Sequence, residues 1–203
     1  MATKILYFLL SLGILILLYY AASYTTPFKA IELPLTFIDR AISFHIVFAY
    51  IYISFYFMFL ISIVTNDKNY ALQCAISIVI NAVIASCIFF FFPTHMPVAI
   101  YASEEHTYYF LSKLLHTLDV STNCFPSLHI ANAFTSAYYL AVKRKLILRS
   151  IIWLWFILIC WSVISTGQHY FYDIIGGIFL ALISLYIVRK LTRYNKFALK
   201  ISS

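Results

Sequence analysis

An all-α, polytopic membrane protein with six transmembrane helices is the fold class this sequence predicts, and three observations predict it. Of its 203 residues, 64% are hydrophobic and only 10% are charged, with a mean hydropathy of +0.92; soluble domains carry about 25% charged residues. Crossing roughly 30 Å of hydrocarbon takes about 20 apolar residues, and runs of that order recur at approximately Ile5–Ala22, Ala41–Val64, Ala71–Phe92, Pro126–Val142, Leu148–Ser165 and Tyr172–Leu191. The ionisable residues, finally, are sorted by side. With six spans both termini share a face, and Lys4, Lys68, Lys143, Arg144, Lys145, Arg149, Arg189, Lys190, Arg193, Lys196 and Lys200 fall on it, against Lys29, Arg40 and Lys113 opposite.

That bias, read by the positive-inside rule, puts both termini in the cytoplasm. All six histidines and every acid except Asp67 then lie at or near the extracytoplasmic face. A net charge of +7 would suit a nucleic-acid partner, but the cations flank helix ends, where topology and anionic lipid account for them. No nucleic-acid partner is expected. The four cysteines lack metal-ligand spacing. Cys74, Cys87 and Cys160 lie within spans as small apolar fillers, and Cys124 reads as a packing residue.

The first run has a signal-like beginning at Lys4, but its apolar core exceeds the usual 7 to 15 or so residues, so it reads as a span. Pro27 and Pro34 bracket the loop that follows, which ends at Asp39-Arg40. The second span is dense in Tyr and Phe between Phe44 and Phe59, a pattern that means lipid contact and packing. Asn66-Asp67-Lys68-Asn69 is a tight turn. Ser77 and Asn81 share one face of the third span and suit inter-helix hydrogen bonding; Pro93 and Pro97 end it. Between the third and fourth spans, Ser103-Glu104-Glu105 followed by Tyr108, Leu111, Leu115 and Leu118 at helical spacing predicts a short interfacial helix.

The fourth span opens at Pro126, suited to a first helical turn, and carries His129, Asn132 and Ser136 on one face, a stripe that must look into the bundle. The fifth, with Trp153, Trp155 and Trp161, ends in Ser162, Ser165, Thr166 and Gly167. Gly176-Gly177 in the sixth permits close backbone approach. The chain forms one domain, 1–203, without repeats or a soluble module.

Three segments therefore meet at the outer face: the end of the third span, the start of the fourth, and the turn between the fifth and sixth. His129 and His169 lie at similar depth. Asp173 stands one helical turn beyond His169 on the same face, where its carboxylate can accept one imidazole N–H and aim the other nitrogen outward, the orienting part of a nucleophile triad. The competing reading of His169 and Asp173 is a helix-stabilising pair, and of His129 an ordinary core histidine.

Phe125-Pro126-Ser127-Leu128-His129 resembles the second motif of the type 2 phosphatidic acid phosphatase superfamily, Pro-Ser-Gly-His, with Leu128 in place of Gly. Ser162 through Asp173 resembles the third motif, in which serine and arginine precede the histidine and the aspartate; the spacing of Ser162, His169 and Asp173 matches, but Val163 replaces the arginine. Phe92 to Val98 is similar to the first motif region, with Phe91 and Val98 where lysine and arginine are expected. The resemblance implies a six-helix membrane enzyme in which His169 is the nucleophile, Asp173 its orienter and His129 the acid that protonates the leaving oxygen. Ser127, Gly167, Ser162 and His95 are the expected phosphate- or substrate-binding residues. Neither metal nor cofactor is expected.

The missing cations bear on the substrate. Phosphoryl transfer is largely positioning and charge stabilisation; a phosphate monoester brings about two negative charges at neutral pH, whereas a phosphodiester brings one. A site without those cations suits a lipid headgroup phosphotransferase, similar to the sphingomyelin and inositolphosphorylceramide synthase branch, with a membrane phospholipid as donor and a lipid or other alcohol as acceptor. The alternatives are a lipid phosphate or diphosphate phosphatase that draws on Arg40, Lys29, Lys113 or His95, and an inactive lipid-binding protein.

Overall fold

The computed structural model describes residues 1–43, 45–95 and 123–201. In chain order they form α1 (Ala2–Thr25), β1 (Ile31–Glu32), α2 (Phe37–Ala41), a 3-10 turn (Ile46–Phe48), α3 (Ala49–Ile53), α4 (Phe55–Val64), α5 (Lys68–Phe91), β2 (Thr94–His95), α6 (Leu128–Ala141), α7 (Leu146–Ser165) and α8 (Phe171–Ile201). The interfacial helix expected after Ser103 lies outside the described residues.

Helices α1, α5, α7 and the Phe171–Arg193 part of α8 are long and apolar enough to cross a membrane. The hydropathy pattern predicts six such helices; the structure has four among its described residues, consistent with an integral membrane protein, and a shorter apolar stretch at Ala49–Val64. The second predicted span divides into the 3-10 turn, α3 and α4, with α2 ending where that span is expected to begin. At Ser54 the hydroxyl donates to Ile51 O at 2.6 Å and accepts Trp155 Nε1–H at 2.8 Å, a local competition with the helical ladder of the kind that bends helices. The fourth predicted span is the 14-residue α6, about 21 Å long at 1.5 Å per residue.

α6 is the centre of the bundle. It packs against α4, α5, α7 and α8, while α1 lies outside on α5. Every residue of α6 except His129, Phe134 and Tyr138 is buried. By contrast α1 exposes Leu6, Leu9, Leu10 and Leu17, and α7 exposes Leu146, Ile147, Ile151, Leu154 and Ile157. An apolar outer surface of this extent is what a lipid solvent requires.

Polar contacts between elements mark two ends. At one, Lys4 Nζ donates to Val64 O and Asn66 O, each at 2.7 Å, and Asn66 Nδ2 reaches Tyr139 O at 2.9 Å. At the other, β1 and β2 pair in parallel (Ile31 with Thr94, Glu32 with His95), and Asn123 bridges to Thr94. Thr94 then holds the chain leading into α6: its carbonyl accepts Cys124 N at 3.2 Å and its hydroxyl accepts Phe125 N at 2.8 Å.

The start of α6 lies directly on the first turns of α8, and the Gly176-Gly177 pair is the reason it can. A Cβ on Gly177 would sit 2.6 Å from Ser127 O and 2.9 Å from Ile130 Cβ; one on Gly176 would sit 2.5 Å from the Phe125 ring. The close approach read from the sequence is thus specifically between the two histidine-bearing segments.

Candidate active site

α7 ends in a Schellman motif: Gly167 N donates to Ile164 O and Gln168 N to Val163 O, each at 2.9 Å, with Gly167 left-handed at φ 66°, the conformation glycine adopts without a Cβ penalty. His169 N also donates to Val163 O, at 3.1 Å. The turn therefore delivers His169 to a fixed place before α8 begins. One helical turn on, Asp173 Oδ2 lies 3.4 Å from His169 Nδ1, both side chains almost fully buried. The two groups are adjacent without an aligned hydrogen bond. Oδ2 instead accepts Tyr170 N at 2.8 Å, the reach-back of a third-position acid to the N-cap amide. Asp173 Oδ1 is buried without a hydrogen-bond partner among the described residues.

Ser127 caps α6, its hydroxyl accepting Ile130 N at 3.3 Å, so Pro126 precedes the helix rather than occupying its first turn. The Phe125–Pro126 peptide is cis. Ser127 N donates to Asp173 O at 3.0 Å, which ties the start of α6 to the aspartate's own backbone. His129, one residue into α6, then faces His169 with ring centroids 6.0 Å apart. Two imidazoles at that separation can address one phosphoryl group from opposite sides, with Nδ1 of His169 turned to Asp173 and its Nε2 left for chemistry. Among the described residues, no three His, Cys, Asp or Glu side chains assemble as a metal site.

Comparison with family profiles matches residues 28–187 to the PAP2 superfamily. The chain belongs to the PAP2 superfamily. Membership supports a phosphatase- or phosphotransferase-type function, and the matched stretch contains every segment just described. No curated protein and no solved structure matches the chain.

Set against the PAP2 motifs, the remaining expected site residues divide. Ser127 is fully buried and its hydroxyl is engaged as a helix cap. Gly167 does its work through the backbone of the turn. Ser162 is fully buried and donates to Ile159 O at 2.7 Å within its own helix. Val163, at the arginine position, is fully buried in the apolar cluster that also contains Tyr52, Phe55 and Ile130. Phe91, at the lysine position, is exposed at the end of α5, and Val98 lies outside the described residues. His95 sits on β2, half-buried, with Nδ1 buried and lacking a hydrogen-bond partner among the described residues.

Two residues escape the sequence reading. Tyr52, assigned by composition to packing, brings its hydroxyl within 2.9 Å of His129 Nε2 and 3.1 Å of Nδ1, and the Phe55 ring meets His129 edge-on at 5.0 Å. Asp39 forms a capping box with Thr36 in α2 and, through Oδ1, accepts Phe171 N at 2.8 Å. It thus docks α2 onto the first turn of α8, where negative charge is favourable at the positive end of the helix dipole. The sequence signals were slight: an aromatic among aromatics, and a Thr-x-x-Asp pattern. Burial pushes the Tyr170 phenol up to about 12, with Glu32, Cys124, Asp39 and Asp173 adding to the shift, so Tyr170 stays neutral beside the histidine.

Proposed function

We propose that this protein is an integral-membrane lipid headgroup phosphotransferase working through a phosphohistidine. In the first step His169 Nε2 attacks the phosphorus of a phospholipid diester; the bond from phosphorus to the lipid oxygen breaks, and His129 gives that oxygen a proton, releasing the lipid alcohol. In the second, His129 takes the proton from an acceptor alcohol, or from water, as its oxygen attacks phosphorus and the P–N bond breaks. Asp173 orients His169, and Tyr52 positions the His129 ring. The reading includes six passes through the membrane, α3–α4 and α6 supplying the shorter two, with both termini cytoplasmic and the histidines extracytoplasmic.

The observation that carries it is the juxtaposition of half-buried His129 with buried His169, 6.0 Å between centroids, with buried Asp173 3.4 Å behind the second ring. The choice of diester over monoester rests on Val163: its fully buried, apolar setting supplies no charge where the family pattern has arginine. A second reading, hydrolysis of a lipid monoester, has one observation in its favour: exposed Arg40 follows Asp39, which docks onto α8, so a cation stands beside the site's supporting segment.

The deciding experiment incubates purified protein with headgroup-labelled phosphatidylcholine, phosphatidylethanolamine or phosphatidylinositol and, separately, with phosphatidic acid, and scores exchanged headgroups against released phosphate. Headgroup exchange together with a phosphorylated peptide containing His169 is expected. Faster release of phosphate from phosphatidic acid than turnover of any diester would favour the phosphatase reading, and no phosphohistidine with any donor would remove both.

A further inference from the structure

The end of the molecule opposite the histidines carries its own cavity, which the proposed reaction does not use. Asp173 and Arg189 are 16 residues apart on α8, about 24 Å along the helix. Between the N-terminal half of α5 and the C-terminal part of α8 lies a groove of about 950 Å³, and it adjoins a second of about 320 Å³ with which it shares Tyr70, Gln73 and Thr192. Lys68 and Lys143 border the first, Arg189 and Arg193 the second. Among the described residues, their charge is opposed by one lining carboxylate, Asp67, which accepts the amides of Asn69 and Tyr70 as a helix cap and pairs with Lys143 at 3.1 Å.

Two of these cations, Lys143 and Arg189, are held in position. Lys143 Nζ lies 4.4 Å from the Tyr70 ring centroid, and the Arg189 guanidinium lies 5.1 Å from that of Tyr138 while donating to the Tyr138 hydroxyl. Rings under cations fix them without neutralising them. Lys143 itself is left-handed at φ 64°, at a helix-end position where glycine usually stands, and this conformation accompanies its pairing across to Tyr70 and Asp67. Below the charges the groove wall is apolar: Leu72, Ile76 and Leu191 line it and remain exposed on the flank of the bundle. A cationic rim over an apolar wall that opens sideways has the shape and polarity of a phospholipid standing in a bilayer.

We infer that this groove binds the phosphate headgroup of an anionic phospholipid from the leaflet on that side, its acyl chains lying along Leu72, Ile76 and Leu191. Charge complementarity selects the anionic headgroup, and the exposed apolar wall selects a lipid over a free phosphate ion. The inference stands independently of the reaction at the other end.

The test is native mass spectrometry of the full chain in detergent, titrated with phosphatidylglycerol, with phosphatidylcholine of the same chain length, and with inorganic phosphate. Phosphatidylglycerol should bind at least about tenfold more tightly than phosphatidylcholine, in keeping with one or more charged hydrogen bonds, and phosphate alone should not bind measurably. Arg189→Gln should remove most of that preference, whereas Lys190→Gln, one residue on and outside the groove lining, should keep it. If Arg189→Gln does not fold, Lys143→Gln, whose side chain is largely exposed, serves in its place. Equal binding of the two lipids, binding of phosphate as tight as that of phosphatidylglycerol, or equal effects of Arg189→Gln and Lys190→Gln would each overturn the site.

Discussion

Gly177→Ala adds one methyl group where α6 and α8 touch, and the structure sets what it must do. The new Cβ would lie 2.6 Å from Ser127 O, 2.9 Å from Ile130 Cβ and 3.2 Å from Ala131 N. Two of these atoms are backbone and cannot rotate away, so reaching ordinary contact at 3.4 Å requires the helices to part by about 0.8 Å along that line. Alanine in place of helical glycine favours folding by about 1 kcal/mol, whereas overpacking a closed contact costs about 1–3 kcal/mol, so a net loss of about 0–2 kcal/mol is expected. The larger consequence is geometric. Ser127 N holds Asp173 O at 3.0 Å, so the same displacement moves His129 away from His169, and a misplacement on the order of 1 Å costs about 100-fold in rate. Thermal unfolding in detergent and headgroup turnover, measured on the same preparation, check both parts. Gly176→Ala should be milder, because its nearest neighbour is the far edge of the Phe125 ring. Gly13→Ala, with nothing within 4 Å, should be neutral or slightly stabilising. Wild-type turnover and stability in Gly177→Ala would refute the claim that this contact sets the spacing of the histidines.

Three further outcomes follow from the geometry. On the proposed mechanism, in which the two residues act as a unit, His169→Ala and Asp173→Asn should each abolish turnover and the double variant should be no worse than the single ones; Asp173→Ala should in addition lower thermal stability, because its carboxylate caps the Tyr170 amide, a contact of about 0.5–2 kcal/mol when lost. Tyr52→Phe removes the hydroxyl at 2.9 Å from His129 Nε2 and should lower turnover by about 2- to 10-fold, the worth of one hydrogen bond, with folding intact; unchanged turnover would leave Tyr52 a packing residue. Asp67 is held below the usual carboxylate range by the Tyr70 amide first, with Lys143 and the Asn69 amide adding to this against partial desolvation. A lowered folded-state pKa means that its contribution is fully present above the unfolded value of about 3.9 and lost as pH falls through the folded value. Asp67→Ala should therefore lower the melting temperature at pH 7, Asp67→Asn much less because Asn also caps, and the gap between wild type and Asp67→Ala should close in acid.

How far each element could be read ahead of the structure depended on whether its signal was local. The ends of α5 were legible because Asp67 caps it and Pro93 stops it, both properties of a few adjacent residues. α7 and the start of α8 were equally plain, though α8 runs on to Ile201 past the expected end at Leu191, and the i,i+4 spacing of His169 and Asp173 placed them together without any knowledge of the bundle. The second predicted span was not legible as α3 and α4, because the break at Ser54 involves Trp155, 101 residues away. Nor was the shortness of α6, since Ser127 takes the cap and leaves Pro126, expected in the first turn, outside the helix.

What the sequence determined by itself is whatever composition and near-neighbour spacing determine: a membrane-dissolving surface, helices whose periods and stops are local, two motifs spaced for a histidine, an aspartate and a second histidine, and the family those motifs belong to. Only the tertiary structure decided which groups meet across helices: that Gly177 clears the path for Ser127, that Tyr52 stands at His129, that Asp39 caps the helix carrying Asp173, and that Val163 is sealed where a cation was expected. The physical reason is that hydrogen bonds and van der Waals contacts act over a few ångströms, while the residues making them lie 46 to 132 positions apart in the cases of Ser127 with Asp173 and Asp39 with Phe171, a separation over which no local pattern carries information.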